Sequence, residues 1–261
     1  KIRDMFHMNT TAVDILKQSF NFYGRLFNKV FWLSIASALS PLLMFLTMGD
    51  GQPSLIGSLL VMAVSMFFSA YMMVLIHQFS QDQNDSLQDA FRLTLQKFLA
   101  ITGTSIIFGL GAVVIAIPAA IIGSLLAAGI ADQQLQAGFV ALIIAVPMSF
   151  YLYRCFFAVY FTLVEGTTPF DALKASNQLI KKNKFIFRSF MLLSLVMLAY
   201  IIAIVLIGLM VAVGPMAQAI LEFAVNVIVL PYFTIFIYRL FVVSKQQFES
   251  ESKSTDLDAD D

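Results

Sequence analysis

Charge is the scarcest resource in this sequence. Lys, Arg, Asp and Glu together make up 12% of its 261 residues, about half the roughly 25% found in soluble domains. So few polar side chains cannot cover a globular surface in water, and a soluble globular fold is excluded. The 16 basic residues equal the 16 acidic ones, so no cationic excess speaks for a nucleic-acid partner. Cys155 is the only cysteine, which rules out an intramolecular disulfide. With His7 and His77 the only histidines, a metal centre lacks ligands, and no cofactor is expected. Cys155 itself, inside "SFYLYRCFFAVYF", reads as a small buried hydrophobe. The first ten residues, "KIRDMFHMNT", lack the apolar stretch of a signal peptide. No phosphate-cradling glycine loop, nucleophile elbow or zincin motif is present, so enzymatic activity is not expected.

What is abundant is apolar: 59% hydrophobic residues, with 26 Phe and 13 Met. Runs long enough to cross a hydrocarbon layer of roughly 30 Å fall at about Phe31–Met48, Ser54–Phe79, Leu99–Ile130, Ala137–Val164, Phe185–Val213 and Pro215–Val243. Several exceed the minimum, so tilt or a break is expected. Pro118 and Pro147 lie inside the third and fourth runs; each removes a donor and crowds the preceding turn, as a kink or as a plain structural device. Gly109-Leu-Gly111 within the third run reads as close helix packing.

The few cations are segregated. The turns "GDGQP", "ADQQLQ" and "VGPMAQ" contain neither Lys nor Arg, whereas Lys17, Arg25, Lys29, Arg92, Lys97, Lys174, Lys181, Lys182, Lys184 and Arg188 crowd the opposite connections. By the positive-inside rule those connections and both termini face the cytoplasm.

One polar nonapeptide occurs in each cytoplasmic connection. "TAVDILKQS" begins at Thr11, "SLQDAFRLT" at Ser86 and "TPFDALKAS" at Thr168, spaced 75 and 82 residues apart. The leading Ser/Thr can cap a helix and the Asp three residues on can answer it, as in a capping box. Asp14, Asp89 and Asp171 also suit the positive end of the helix dipole. Lys17, Arg92 and Lys174 follow on the exposed face, and Ser19, Thr94 and Ser176 close the motif. Beneath them runs an apolar stripe: Leu16, Phe20, Tyr23 and Phe27, then Phe91, Leu95 and Phe98, then Leu173 and Ile180, where Asn177 interrupts it. Such helices suit the headgroup region, each leading the chain into a span. A second anchor keeps similar spacing: "IHQF", "YRCF" and "YRLF" place His77, Arg154 and Arg239 near the ends of the even-numbered runs. The expected fold is therefore an all-α integral membrane protein of six transmembrane helices. It is arranged as three pseudo-repeats of an interfacial amphipathic helix plus a transmembrane hairpin, at about 11–79, 86–164 and 168–243. Residues 248–261, "FESESKSTDLDADD", read as a disordered acidic tail.

The 35 residues from Tyr153 to Phe187, "YRCFFAVYFTLVEGTTPFDALKASNQLIKKNKFIF", resemble the signature of the YciC-like family of bacterial inner-membrane proteins. That family is related to the membrane domain of glycerophosphodiester phosphodiesterases. The matching positions are Arg154, Glu165, Gly166, Ala172, Leu173, Lys174, Ser176 and the Lys181–Lys184 cluster. The resemblance implies a multi-pass protein of the bacterial cytoplasmic membrane. It does not carry over phosphodiesterase activity, because a separate soluble domain supplies that chemistry in those relatives and none is expected within these 261 residues.

Ionisable residues within spans are functional candidates. Glu222 lies about two turns into the last run with Asn226 one turn below; it reads either as a proton or ion site or as an interhelical hydrogen bond. His77 reads as an interfacial residue or a pH-sensitive contact. Arg154 reads as an anchor that snorkels to the interface, as a partner of Glu165 or as a holder of a lipid phosphate; with Arg239, Lys174, Lys181, Lys182, Lys184 and Arg188 it forms a candidate surface for anionic lipid headgroups. Membrane lipids are the expected partners, with a membrane-protein partner or a second copy of the chain also open. A non-enzymatic, lipid-organising protein leads; a transporter using Glu222 is the alternative.

Overall fold

The structure, a computed structural model, describes residues 11–38, 48–49, 52–81, 86–183, 186–187, 189, 191 and 215–257. They include the helices α1 (Ala12–Ala38), α2 (Leu55–Ser80), α3 (Leu87–Leu126), α4 (Gln133–Cys155), α5 (Ala158–Glu165), α6 (Pro169–Lys182) and α7 (Pro215–Leu257), and Ile186, Phe187, Ser189 and Met191 are helical as well. A two-residue antiparallel bridge between Met48–Gly49 and Gln52–Pro53 precedes α2. Three segments are long and apolar enough to cross a membrane: α2, with 26 residues, α3, with 40, and Gln133–Glu165, with 33. Each leaves most of its apolar surface uncovered by protein. Uncovered leucines, isoleucines and valines in such density are tolerated only in lipid, so the chain is a membrane protein.

Polar caps punctuate these helices. Ser54 Oγ accepts from the Gly57 N–H at 3.0 Å to start α2. Asp132 accepts from the N–H groups of Gln134 (2.8 Å) and Leu135 (3.1 Å) to start α4. Gly166, at φ 67° in the left-handed region, stops α5, a conformation that costs glycine little.

Several boundaries differ from those expected. Pro118, Pro147 and Pro231 all sit inside continuous helix. The break in the fourth run falls instead at Phe156–Phe157, between α4 and α5. The first two nonapeptides do not form separate interfacial helices. They open α1 and α3 and continue without interruption into the apolar residues beyond. A 40-residue helix is about 60 Å long, twice the hydrocarbon thickness, so α3 combines a polar start and a span in one rod. Only the third nonapeptide makes a short helix of its own, the 14 residues of α6. The last helix runs to Leu257, through ten residues expected to be disordered. Lys245 and Glu249 pair across one turn at 3.5 Å there, and such i, i+4 pairs support an exposed helix. The fifth run and the end of the first lie outside the described residues, apart from a few positions.

The chain divides into two compact units, Lys1–Phe98 with Asn183–Asp261, and Leu99–Lys182. In the first, α1 packs against α2 and α7. Its buried face is Ile15, Ser19, Phe22, Leu26, Val30 and Leu33, spaced three and four apart as helix contacts require. From Phe233 to Val243, α7 is buried on nearly every side, with Ile235, Phe236, Leu240 and Phe241 fully enclosed.

In the second unit, α3 and α4 approach closely where side chains are small. A Cβ at Gly111 would meet the Tyr151 hydroxyl and lie 2.7 Å from Cζ. That hydroxyl donates to the Phe108 carbonyl at 3.0 Å, and the two rings stack at 5.6 Å. The glycine expected to serve close packing does so by admitting a tyrosine ring. Thr104 and Thr162 add a buried hydrogen bond of 2.8 Å between α3 and α5.

Candidate functional site

Each nonapeptide forms a reciprocal cap. The Thr11 hydroxyl donates to Asp14 Oδ2 at 2.6 Å, and the Asp14 N–H donates back to Thr11 Oγ1 at 3.2 Å. Ser86 and Asp89 repeat this at 2.7 and 3.2 Å, as do Thr168 and Asp171 at 2.5 and 3.4 Å. These bonds to the Thr11 hydroxyl and backbone N–H hold the Asp14 carboxyl below its ordinary pKa, because they favour the charged form.

The inner face of the three motifs is also shared. Ile15, Ala90 and Ala172 at the fifth position are fully buried, and so are Ser19, Thr94 and Ser176 at the ninth. The outer face pairs a cation with large apolar side chains. Lys17, Arg92 and Lys174 are exposed, as are Phe20 (67%), Phe91 (42%), Leu95 (53%) and Phe170 (71%). Of the stripe named from the sequence, Phe20, Phe27, Phe91 and Leu95 are uncovered, Leu16, Tyr23, Phe98 and Leu173 are half-buried, and Ile180 is buried. The protein-packing stripe lies on the other side, where a serine or threonine hid it from a count of apolar residues.

The buried hydroxyls do different things. Ser19 donates to the Ile15 carbonyl at 2.7 Å and Thr94 to the Ala90 carbonyl at 2.7 Å, both within their own helix. Ser176 reaches another element. It donates to the Arg154 carbonyl at 3.1 Å and accepts from the Phe157 N–H at 3.0 Å. One hydroxyl therefore bonds a backbone carbonyl and a backbone N–H on the two sides of the α4–α5 break, where helix ends leave such groups without intrahelical bonds.

Arg154, in the last turn of α4, lies at this junction. Its guanidinium rests over the Phe150 ring at 4.9 Å, and Nη1 donates to Asn177 Oδ1 at 3.3 Å. Nε is buried without a hydrogen-bond partner. Among the described residues no carboxylate pairs with it, Glu165 included. Asn177, which looked like a fault in the apolar stripe, is the residue that orients this arginine.

Arg239 is placed differently. It is 2% exposed, with its guanidinium 5.3 Å from the Phe22 ring centroid and Nη2 donating to Gln18 Oε1 at 3.5 Å. Burial against α1 takes it out of the group of cations that face outward. His77 is tied within the same unit: Nδ1 lies 2.8 Å from the Tyr238 hydroxyl, which lies 2.6 Å from Ser80 Oγ. Sequence reasoning missed Tyr238 as a partner, although it stands beside Arg239 in the "YRLF" anchor. Tyrosines also hold the first two nonapeptides: Tyr232 donates to the Leu16 carbonyl at 3.3 Å and Tyr71 to the Leu87 carbonyl at 2.8 Å.

Lys174 and Lys181 are exposed on α6. The side chain of Lys182 and the whole of Lys184 and Arg188 lie outside the described residues. So do the side chains of Glu222 and Asn226, although both positions are helical within α7. Comparison with protein-family models, curated proteins and solved structures yields no match.

Proposed function

We propose that the chain is a non-enzymatic, multi-pass protein of a bacterial inner membrane that binds anionic lipid headgroups on its cytoplasmic side. Its six spans are three repeats of a capped amphipathic helix and a hairpin, with both termini cytoplasmic, as the resemblance to the YciC-like family implies. The observation that carries the proposal is the outer face of the nonapeptides. In all three, an exposed Lys or Arg stands beside exposed Phe or Leu, the combination that seats a helix at the boundary of headgroups and acyl chains. Cations there attract anionic lipid by about 1 kcal/mol each. The repeat is supported by the shared cap and the shared buried fifth and ninth positions.

The test is native mass spectrometry of the purified protein with Lys181, Lys182 and Lys184 changed to Gln, after topology has been checked by accessibility labelling. Less co-purified phosphatidylglycerol is expected. Unchanged lipid content would reduce the cluster to a topology signal and leave the proposal resting on the nonapeptide cations Lys17, Arg92 and Lys174, whose change to Gln must then lower the lipid content if the proposal holds.

A further inference from the structure

The cations of α6 and its neighbour are arranged around one point. Asn177 lies three residues after Lys174 and four before Lys181, so all three share a face of α6. All three are exposed. Onto this face the α4–α5 break delivers Arg154, with its backbone fixed by Ser176 (3.1 Å) and its side chain by Phe150 (4.9 Å) and Asn177 (3.3 Å). The nearest acid on the helix, Asp171, is committed to the Thr168 cap at 2.5 Å. Three cations thus stand on one patch with no paired carboxylate among the described residues.

We infer that this patch is a phosphate-binding site, centred on the guanidinium of Arg154 with Lys174 and Lys181 flanking it. It rests on the lipid proposal and narrows it: the headgroup phosphodiester of an anionic lipid is held at α6, at a built site, rather than by diffuse surface charge. A guanidinium offers five N–H donors in a planar fork, and Asn177 uses one of them. Nε is walled in, so the terminal Nη edge, at the exposed bond to Asn177, faces the incoming anion. That edge matches two phosphate oxygens, and the lysines add point charges. Asn177 is a positioning residue, since it fixes the fork without adding charge. Phe150 forms its floor. Arg239 marks the contrast. It is 2% exposed, so the corresponding arginine in α7 has no such opening.

The experiment is native mass spectrometry of the full chain in detergent, titrated separately with phosphatidylglycerol and phosphatidylcholine. The wild type is expected to retain phosphatidylglycerol in preference. Arg154→Gln should weaken that retention about tenfold, the cost of one charge-assisted hydrogen-bonded group, and leave phosphatidylcholine unaffected. Arg154→Lys should recover only part of it, because the charge returns without the fork. Asn177→Leu keeps every charge and should still cost a few-fold, which covers the case of an Arg154 variant that fails to fold. Inorganic phosphate added to the same samples separates the two sources of a phosphate. An Arg154-dependent phosphate adduct that displaces the lipid assigns a soluble anion to the site, and failure to displace assigns the headgroup. Preference for phosphatidylglycerol that persists unchanged in Arg154→Gln and in the Lys174→Gln, Lys181→Gln pair overturns this site but leaves the lipid proposal standing. No preference in the wild type overturns both.

Discussion

Arg154 and Arg239 occupy the same place in the "YRCF" and "YRLF" anchors, yet they meet different surroundings. Arg239 lies between α7 and the first nonapeptide helix, on Phe22 and Gln18. Arg154 lies beside the third nonapeptide helix, with its fork at the surface against Asn177. The difference traces to the helix each meets. The first nonapeptide continues into a long helix whose packed face supplies Phe22 and Leu26, enough apolar surface to enclose a side chain. The third ends at Lys182 and offers Asn177 between two lysines. One motif therefore yields a structural arginine in one unit and an open one in the other. Burial, rather than residue type, separates an anchor from a candidate ligand site.

The largest effect expected is on Arg239. Truncation to Ala would leave a cavity beside Phe22, remove a desolvated cation–π contact and strand Gln18. That should cost about 3 kcal/mol, read as thermal unfolding in detergent. Arg154→Ala should cost less than about 1 kcal/mol, because its guanidinium edge is already at the surface. Equal losses at the two sites would break the comparison, since both arginines would then be structural.

Ser176 sharpens it on the backbone side. Ser176→Ala leaves the buried Phe157 N–H without an acceptor, with an expected cost of about 2 kcal/mol. Ser19→Ala and Thr94→Val remove hydroxyls that bond carbonyls already within a helix, so losses of about 0.5 kcal/mol or less are expected. Amide exchange at Phe157 should accelerate in the Ser176 variant alone. Uniform losses across the three serine and threonine positions would mean that the α4–α5 break does not depend on its bridging hydroxyl.

How much of this could be read from the sequence depends on the range of the interaction. The caps were legible, because Thr11–Asp14, Ser86–Asp89 and Thr168–Asp171 act across three residues and the spacing states the bond. The apolar runs of α2 and α3 were legible from length alone. The break at Phe156–Phe157 was not, because it is stabilised by Ser176 from about twenty residues away, whereas the local breakers Pro118 and Pro147 lie in unbroken helix. The exposure of Arg154 and the burial of Arg239 were equally hidden, since the similar motifs "YRCF" and "YRLF" meet different helices. Asn177 was noticed as an interruption, but its role required a partner that periodicity cannot name.

The smallest effect concerns a charge at the protein surface, where solvent discounts most of what burial gives to Arg239. Hydrogen bonds from the Thr11 hydroxyl and N–H, reinforced by Lys17, lower the Asp14 pKa. Its value in the folded chain lies below that in the unfolded chain, so the cap contributes fully above the ordinary carboxyl value of about 3.9. The contribution is lost as pH falls through the folded value. Thr11→Val removes the hydroxyl that lowers it most. Carbon-detected NMR titration of the Asp14 carboxyl should then show the midpoint moving up towards the ordinary range, and the acid-dependent fraying of the start of α1 should move with it. A midpoint unmoved by Thr11→Val would place the shift on Lys17 and the helix dipole instead, and the reciprocal cap would then be geometry without an electrostatic consequence.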